Sequence, residues 1–331
     1  MKENDIRSRA TVDKYLELVE KDCETFFSEK DHYPNTACCA CACPRYKPQF
    51  TKYGFHYVTC QNCHTLYVSN RPPLDQLLKF YSQSVSSTYW TRSFFQPVLE
   101  ARRKKIFLPR VKSVVTEFGT DRNWVIGDVG AGFGIFLDEL RKKWVESRFI
   151  ALEPSFAQAE ICRGLGLDVE CCFAEELAGY DGAFDLLTSF ELFEHLTDPS
   201  KFVRKMHRLL KPGGHFLMTT LNGKGFDIQL LWEKSKSVTP PHHLNFFNPN
   251  SICLLLESSG FENVSITTPG ELDWDIVEGM IVNANFDAGR FWGEFAGSGS
   301  PQAKADLQNW ISRNNFSSHM KVVAQKPTVT G

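Results

Sequence analysis

Residues 125–134 read V-I-G-D-V-G-A-G-F-G, an apolar run of strand character that ends at Asp128 and leads into Gly130, Gly132 and Gly134. The next ten residues, IFLDELRKKW, place apolar side chains at helical spacing. A strand, a glycine turn and a helix in that order let a ligand approach the main chain, because no Cβ obstructs it and the first helical N–H groups are unclaimed. The glycine spacing alone fits a dinucleotide or S-adenosylmethionine. The neighbouring acids separate the two. A pyrophosphate wants the helix start free of negative charge, yet Asp128 sits beside the glycines and Glu153 closes the next strand-like run, SRFIALE. Glu153 is placed for two ribose hydroxyls, and Asp128 suits a cationic ligand bearing an amino group. S-adenosylmethionine is such a ligand.

A second group lies at Ser189-Phe190-Glu191-Leu192-Phe193-Glu194-His195. Phe190 follows a strand and is expected beside a sulfonium. Three readings of the acids and the histidine compete. In one, Glu194 and His195 only orient the segment. In another, His195 is a general base toward a hydroxyl acceptor, since an imidazole titrates near neutrality. In the third, Glu191, Glu194 and His195 hold Mg²⁺ or another divalent cation that polarises the acceptor.

The third group is cysteine. Cys38-x-x-Cys41 and Cys60-x-x-Cys63 are two knuckles able to bring four thiolates to one tetrahedral zinc. Between them FTKYGFHYVTC alternates as a strand, and TLYVSN follows as another. This is the pattern of a zinc ribbon, and four cysteines leave no open coordination position, so the metal is expected to be structural. Cys39 and Cys43 are spare thiols and His64 an alternative ligand; packing roles are favoured for them.

The elements that must position these groups alternate from residue 123 onward. Strands are expected over 124–129, 147–152, 167–171, 184–189 and 214–220, with helices near 134–144, 155–164 and 199–210, which calls for a parallel sheet covered on both faces. Ligands of such sheets sit at the carboxyl ends of the strands, a rim that contains Asp128, Glu153, Phe173, Ala174, Ser189 and Asn222. Residues 222–249 and 268–308 interrupt the alternation as insertions. The first holds His242 and His243, which with Asn222 are the candidates for acceptor binding. Before the sheet, the chain divides into a helical arm over 1–37, the ribbon over 38–71 and a helical linker or lid over 72–120. A helix expected over 95–118 carries Arg102, Arg103, Lys104, Lys105, Arg110 and Lys112, read as a solvated basic face or, less favourably, a contact to phosphates.

In their order, the stretches D-V-G-A-G-F-G, A-L-E-P-S, F-D-L-L-T-S-F-E-L-F-E-H-L and L-L-K-P-G-G-H-F-L-M-T-T-L-N resemble the class I S-adenosylmethionine-dependent methyltransferases, of the methyltransferase-domain 23 or ubiquinone O-methyltransferase-like kind, over residues 123–266. The resemblance implies an α/β, Rossmann-like sheet of seven strands, with the ribbon as an added module. It implies cofactor contacts at Asp128, Gly130, Ala131, Gly132, Gly134, Glu153, Pro154, Phe173, Ala174, Ser189 and Phe190. The acid that the family often places after the third strand is absent from Cys172-Phe173-Ala174, so adenine is expected on the Ala174 main chain and apolar neighbours. The metal reading of E-x-x-E-H also has its precedent in this resemblance. The implied activity is methyl transfer to a small-molecule acceptor, such as a nucleotide-linked sugar or a cell-envelope or natural-product precursor. An RNA methyltransferase using the ribbon and basic helix, and a non-catalytic binding or scaffold protein, are the alternatives.

Composition narrows the setting. The formal net charge is −2, which gives no global pull toward nucleic acid or anionic membrane. No run approaches the length of a membrane span. MKENDIRSRA lacks the apolar stretch of a signal peptide, and eleven cysteines without a secretion signal argue for metal rather than disulfides. A cytoplasmic protein is expected, with its oligomeric state left open.

Overall fold

The computed structural model describes residues 2–328. Its strands are β1 (Tyr46–Lys52), β2 (Phe55–Cys60), β3 (Leu66–Val68), β4 (Val125–Val129), β5 (Arg148–Leu152), β6 (Asp168–Glu170), β7 (Phe184–Phe190), β8 (Leu210–Leu221), β9 (Asn245–Phe246), β10 (Glu262–Thr267) and β11 (His319–Gln325). Two compact units interleave along the chain. One comprises Met1–Leu99, Leu221–Ser251 and Thr267–Met320, and the other Glu100–Thr220, Ile252–Ile266 and Lys321–Gly331. The N-terminal hundred residues therefore share a unit with both interrupting segments.

The second unit carries the seven-stranded sheet, in the order β10-β11-β8-β7-β4-β5-β6. The pairs β4–β5, β4–β7, β5–β6 and β7–β8 are parallel. Near-continuous apolar runs such as Phe149-Ile150-Ala151-Leu152 are buried on both faces, as a covered parallel sheet demands. Helix Leu108–Phe118 presents Val111, Val114 and Phe118 at helical spacing to a core with Ile126, Phe136, Leu140, Trp144 and Leu186. The register sets Asp128 opposite Thr188 and brings the carboxyl ends of β4, β5 and β7 to one rim. The α/β architecture and its strand order of appearance agree with the sequence pattern. Two local expectations change. The helix after the glycines covers only Ile135–Leu140. The single helix expected over 95–118 is broken: Leu99–Arg102 and Leu108–Phe118 are α, and Arg103–Phe107 between them is a π turn, a bulge that re-aims the side chains around it.

The first unit is built on an antiparallel sheet, β1-β2-β3-β9. Helix Arg9–Phe26 begins where the Ser8 hydroxyl accepts the Thr11 N–H at 3.2 Å. It lays Val19 and Cys23, with Phe27 after it, onto Phe55, Tyr57, Leu66 and Val68. Ile228, Val238, Leu244 and Phe246 from the first interrupting segment complete that core. Arg71 is buried there, donating to the Val68 carbonyl at 3.1 Å and the Asn245 side chain at 2.5 Å. A satellite cluster joins Leu231 to Trp274, Val277 and Ala296. Among the described residues no helix is long and apolar enough to cross a membrane.

Candidate functional site

The glycine turn in the second unit has the backbone its sequence requires. Gly130, Gly132 and Gly134 have φ of 74°, 58° and 69°, the left-handed region that residues with a Cβ enter at a cost. Their surroundings differ. A Cβ on Gly134 would lie 2.9 Å from the Cys162 Sγ, whereas one on Gly132 would meet nothing within 4 Å. Gly134 is thus needed for packing, and the space before Gly132 is open to an incoming group.

Glu153 ties this turn to β5. Its two carboxylate oxygens accept the Gly132 N–H at 2.8 Å and the Ser155 N–H at 2.9 Å. Each oxygen keeps a further lone pair for a hydroxyl donor. Burial holds the Glu153 carboxyl above its usual range against the pull of those two N–H groups. Asp128, at the end of β4, is 3% exposed and accepts the Thr188 hydroxyl at 2.7 Å. Burial raises its pKa to about 7, while Thr188 and the Arg110 guanidinium oppose the rise and Glu153 adds to it.

Residues 190–195 wrap the same rim. Glu191 has φ of 52°, a strained conformation for a residue with a side chain. Its carboxylate is held by Arg110 at 3.1 Å and by the Thr219 hydroxyl at 2.6 Å. Glu194 lies on the 3-10 turn Phe193–His195, is 1% exposed and accepts the Thr220 hydroxyl at 2.8 Å. Burial first, then the charge on Glu191, raises Glu194 to about 8, so it keeps its proton near neutrality. His195 on the same turn is half-exposed. Phe190 packs edge-on against Phe136, with ring centroids 4.6 Å apart.

The chemistry of this donor set fits a cation. Asp128, Glu191 and Glu194 all act on Arg110, and burial pushes Asp128 and Glu194 toward the neutral form, with Glu153 adding to the rise at Asp128 and Glu191 to that at Glu194. A positive ligand would relieve that penalty, and a pyrophosphate would increase it. The Ser189 hydroxyl is buried with no hydrogen-bond partner among the described residues, an unmet polar group at the same strand end. Farther along, Phe173 is 37% exposed and caps the short helix Ala174–Glu176, while Ala174 is buried and Pro154 exposed. Ala131 is half-buried between the first two glycines. The charge of Asp128 and Glu153 and the open space at Gly132 fit S-adenosylmethionine.

In the first unit the sulfurs of Cys38, Cys41, Cys60 and Cys63 all lie within 4.8 Å of one another. The Cys38–Cys63 and Cys41–Cys60 separations are 3.4 and 3.6 Å, consistent with Zn–S bonds of about 2.3 Å in a tetrahedron. The two knuckles repeat one design. The Ala40 N–H points at the Cys38 Sγ and the Asn62 N–H at the Cys60 Sγ, each at 3.4 Å. Ala42 and His64, four residues beyond those cysteines, have φ of 55° and 59° and return their N–H groups to the Cys38 and Cys60 carbonyls. The Cys43 thiol instead faces the Arg45 carbonyl at 3.7 Å, and Cys39 interacts with Arg71. The donor set fits one zinc.

The acceptor-side candidates divide. Asn222 is fully buried, and its side chain donates to the Ser317 carbonyl at 2.9 Å and accepts the Lys224 N–H at 3.0 Å; the fold uses it to fix backbone. His242 is buried among Phe80, Tyr81 and Tyr15, with centroids 4.9 to 5.8 Å away. Burial, then His243, brings its pKa down to about 3. His243 is half-buried, with Nδ1 2.6 Å from the Ser237 carbonyl.

Arg110, Thr188 and Thr219 are the site residues that sequence reasoning missed. The signal for Arg110 was present but ambiguous: helical spacing with Val111 and Val114 places it next to the buried stripe. Arg103 behaves alike, pairing with Asp138 at 3.1 Å and with Glu139. Two of the six cations of the expected basic face are therefore spent on internal acids.

A family model described as a methyltransferase domain matches residues 100–266. Over 100 residues the chain is 35% identical to the ubiquinone biosynthesis O-methyltransferase of Alkalilimnicola ehrlichii, covering 29% of this chain and 40% of that protein. The Xanthomonas oryzae pv. oryzae protein of the same description is 34% identical over 100 residues, 29% of this chain and 42% of that one. The chain thus spans about two fifths of the length of these relatives. Among solved structures, a possible histamine N-methyltransferase of Thermotoga maritima superposes with a TM-score of 0.46 at 18% identity, covering 68% of this chain and 90% of that one. Phosphoethanolamine N-methyltransferase 2 of Haemonchus contortus, solved with S-adenosyl-L-methionine, gives 0.48 at 18% identity, with 66% and 53% covered.

Proposed function

The chain belongs to the methyltransferase-domain family, and we propose that it transfers a methyl group from S-adenosylmethionine to a small-molecule acceptor, a nucleotide-linked sugar or a comparable cell-envelope or natural-product precursor. The observation that carries this reading is the pair of buried carboxyls, Asp128 and Glu153, at the glycine turn whose Gly132 faces open space. Burial pushes the Asp128 carboxyl toward its neutral form, and a bound cation would relieve that penalty. The description of the matched relatives as ubiquinone O-methyltransferases supports a small molecule and an oxygen acceptor. The internal use of Arg103 and Arg110 removes part of the argument for RNA.

When bound, S-adenosylmethionine supplies an electrophilic methyl group on a positive sulfur. The chain's own part is to bind, orient and manage one proton. Glu153 holds the glycine turn at Gly132, and Asp128 stands near the end of the strand that leads into it. Phe190, pressed between Phe136 and Arg110, walls the reacting region. His195 takes the acceptor proton as general base, and Glu194, protonated and anchored on Thr220, keeps the turn that carries His195 in place. Most of the acceleration comes from positioning. His243, the less buried of the histidine pair, is the candidate acceptor contact within the first unit. The four-cysteine centre holds a structural zinc.

Transfer of labelled methyl from S-adenosylmethionine into a fractionated cell extract tests this. Label is expected in the small polar fraction. Label confined to RNA, or none despite bound S-adenosylmethionine, would sink the reading.

A further inference from the structure

Residues 243–248, the end of the first interrupting segment, take their position from the ribbon. The Tyr57 hydroxyl on β2 donates to the His243 carbonyl at 2.9 Å, and the Val68 N–H on β3 to the Leu244 carbonyl at 2.9 Å. Asn245 and Phe246 form β9, which pairs with Tyr67 and Leu66, and the Asn245 side chain also accepts from Arg71. The Asn248 side chain donates to the Cys63 carbonyl at 3.0 Å. The Phe247 carbonyl accepts the Gly223 N–H at 2.6 Å, a tie inside the segment itself. A strand of two residues has no stability of its own, so β9 lies where β3 puts it.

The His243 ring is fixed as well as its backbone. Nδ1 stands 2.6 Å from the Ser237 carbonyl, an oxygen that can only accept. Nδ1 therefore carries the proton of the neutral ring, and Nε2 is its basic nitrogen. An imidazole set this way offers its lone pair to a hydroxyl donor. The ties that set it begin at the metal ligands. β2 ends in Cys60, and β3 begins at Leu66, three residues after Cys63. The Thr65 hydroxyl lies 3.1 Å from the Cys63 Sγ, and the Thr65 carbonyl accepts the Cys60 N–H at 2.9 Å. Zinc on the four thiolates would hold this knuckle in one shape, because binding energy at a structural zinc is folding energy. Whatever the metal orders must act back on metal affinity by the same factor.

We propose that the zinc ribbon positions His243 for the acceptor, through Tyr57, β9 and Asn248, and that Asn248 in return strengthens the hold on zinc. Tyr57 and Asn248 are then positioning residues. The proposal rests on the reading of His243 as an acceptor contact for its catalytic meaning, and on the bonds alone for the coupling between metal and segment.

Two variants of the full chain test this. Asn248→Ser keeps an oxygen for the Ser251 N–H at the start of its helix and loses the donor to Cys63. Tyr57→Phe keeps the ring and loses only the hydroxyl. Zinc affinity, measured by competition with a chromophoric chelator, is expected to fall about tenfold in Asn248→Ser. With zinc bound, amide hydrogens of residues 243–248 should exchange faster in both variants than in the parent, while those of helix Pro301–Arg313 stay unchanged. Labelled methyl transfer is titrated with the small polar fraction of a cell extract. Half-maximal rate should need about fivefold more of that fraction in Tyr57→Phe, the effect of one hydrogen bond, with the maximal rate and S-adenosylmethionine affinity as in the parent. A general loss of stability would not split the two parameters in this way. Unchanged zinc affinity in Asn248→Ser, or unchanged exchange of residues 243–248 in both variants, would overturn the proposal whatever the transfer assay gives. Faster exchange in Tyr57→Phe with half-saturation at the parent value would overturn it as well, because His243 would then not meet the acceptor. No label transferred by the parent, with the zinc and exchange effects present, counts against the transfer reading alone.

Discussion

The Arg110 guanidinium lies 3.1 Å from the Glu191 carboxylate and 4.7 Å from the centroid of the Phe190 ring. One side chain thus fixes two consecutive residues of the rim, one by charge and one by its aromatic face. It also explains how Glu191 persists at φ 52°: Arg110 and the Thr219 hydroxyl both bind one oxygen of its carboxylate and so fix the residue. Removing Arg110 leaves acids facing one another. Arg110→Met is expected to cost about 2 kcal/mol, below the 3–5 of a fully buried pair because Glu191 is 36% exposed. Arg110→Lys should fall between, since it keeps the charge and loses the planar fork. Denaturant midpoints of the three proteins would decide this, and a Met variant as stable as the parent would show that the pair contributes nothing.

The raised carboxyls make both stability and cofactor binding depend on pH, in opposite directions. Asp128 goes from an ordinary 3.8 to about 7 and Glu194 from 4.5 to about 8. Over that interval the folded chain keeps protons that the unfolded chain has released. Stability from these groups is complete below about pH 4 and is lost as pH rises through 7 and 8. Affinity for a cation that needs the Asp128 carboxylate should instead rise from pH 6 to 8 and level off above. Melting curves of the unliganded protein and calorimetry with S-adenosylmethionine in two buffers check both, the latter through released protons. Affinity that does not change with pH would contradict the role of Asp128.

Alanine substitution separates the glycines of the turn. Gly134→Ala forces a Cβ to 2.9 Å from the Cys162 sulfur and should destabilise the fold by about 1–3 kcal/mol. Gly132→Ala meets no neighbour, so it should cost only the left-handed strain of about 1–2 kcal/mol while weakening S-adenosylmethionine binding by more than tenfold. Thermal melts beside binding isotherms would show the two effects parting. Equal losses of binding and stability at both positions would mean that nothing approaches Gly132.

The alternating pattern from residue 123 was legible because buried parallel strands are written as short apolar runs closed by Asp128, Glu153 and the Ser189–Phe190 pair, and the periodicity survives without knowledge of neighbours. The cysteine knuckles were legible because their spacing is chemical. Arg110 was not, since an arginine at the margin of an amphipathic stripe looks the same whether it meets water or Glu191. The gathering of residues 221–251 and 267–320 with the ribbon was also hidden. It rests on long-range packing, such as Phe246 on Tyr57 and Asn248 on the Cys63 carbonyl, which leaves no local period. The fate of Asn222 was hidden for the same reason, because its partners Ser317 and Lys224 are set by tertiary fold.

Cys60→Ser should remove the metal and much of the first unit's stability together. The two knuckles close their turns with N–H groups aimed at thiolate sulfur, and binding energy at such a centre is folding energy. About one zinc per chain is expected in the parent by elemental analysis and none in the variant, with a lowered melting temperature. Serine at Cys43, whose thiol faces a carbonyl, should leave the zinc content unchanged. Zinc lost in that variant as well would redraw the ligand set.

The same variant logic separates the roles of the Glu191–His195 segment. A divalent ion there would have to take Glu191 from Arg110 and Thr219, which is the ground for proposing His195 as the general base. His195→Ala is expected to lower turnover by about 10²–10⁴ and to leave S-adenosylmethionine affinity within a few-fold. A lost base also removes the acid limb of the pH–rate profile, which a merely structural defect would not do. Turnover of the parent should survive chelation under conditions in which the ribbon keeps its zinc. If instead turnover disappears with the chelator and returns with Mg²⁺ alone, Glu191, Glu194 and His195 are metal ligands and the general-base assignment is wrong.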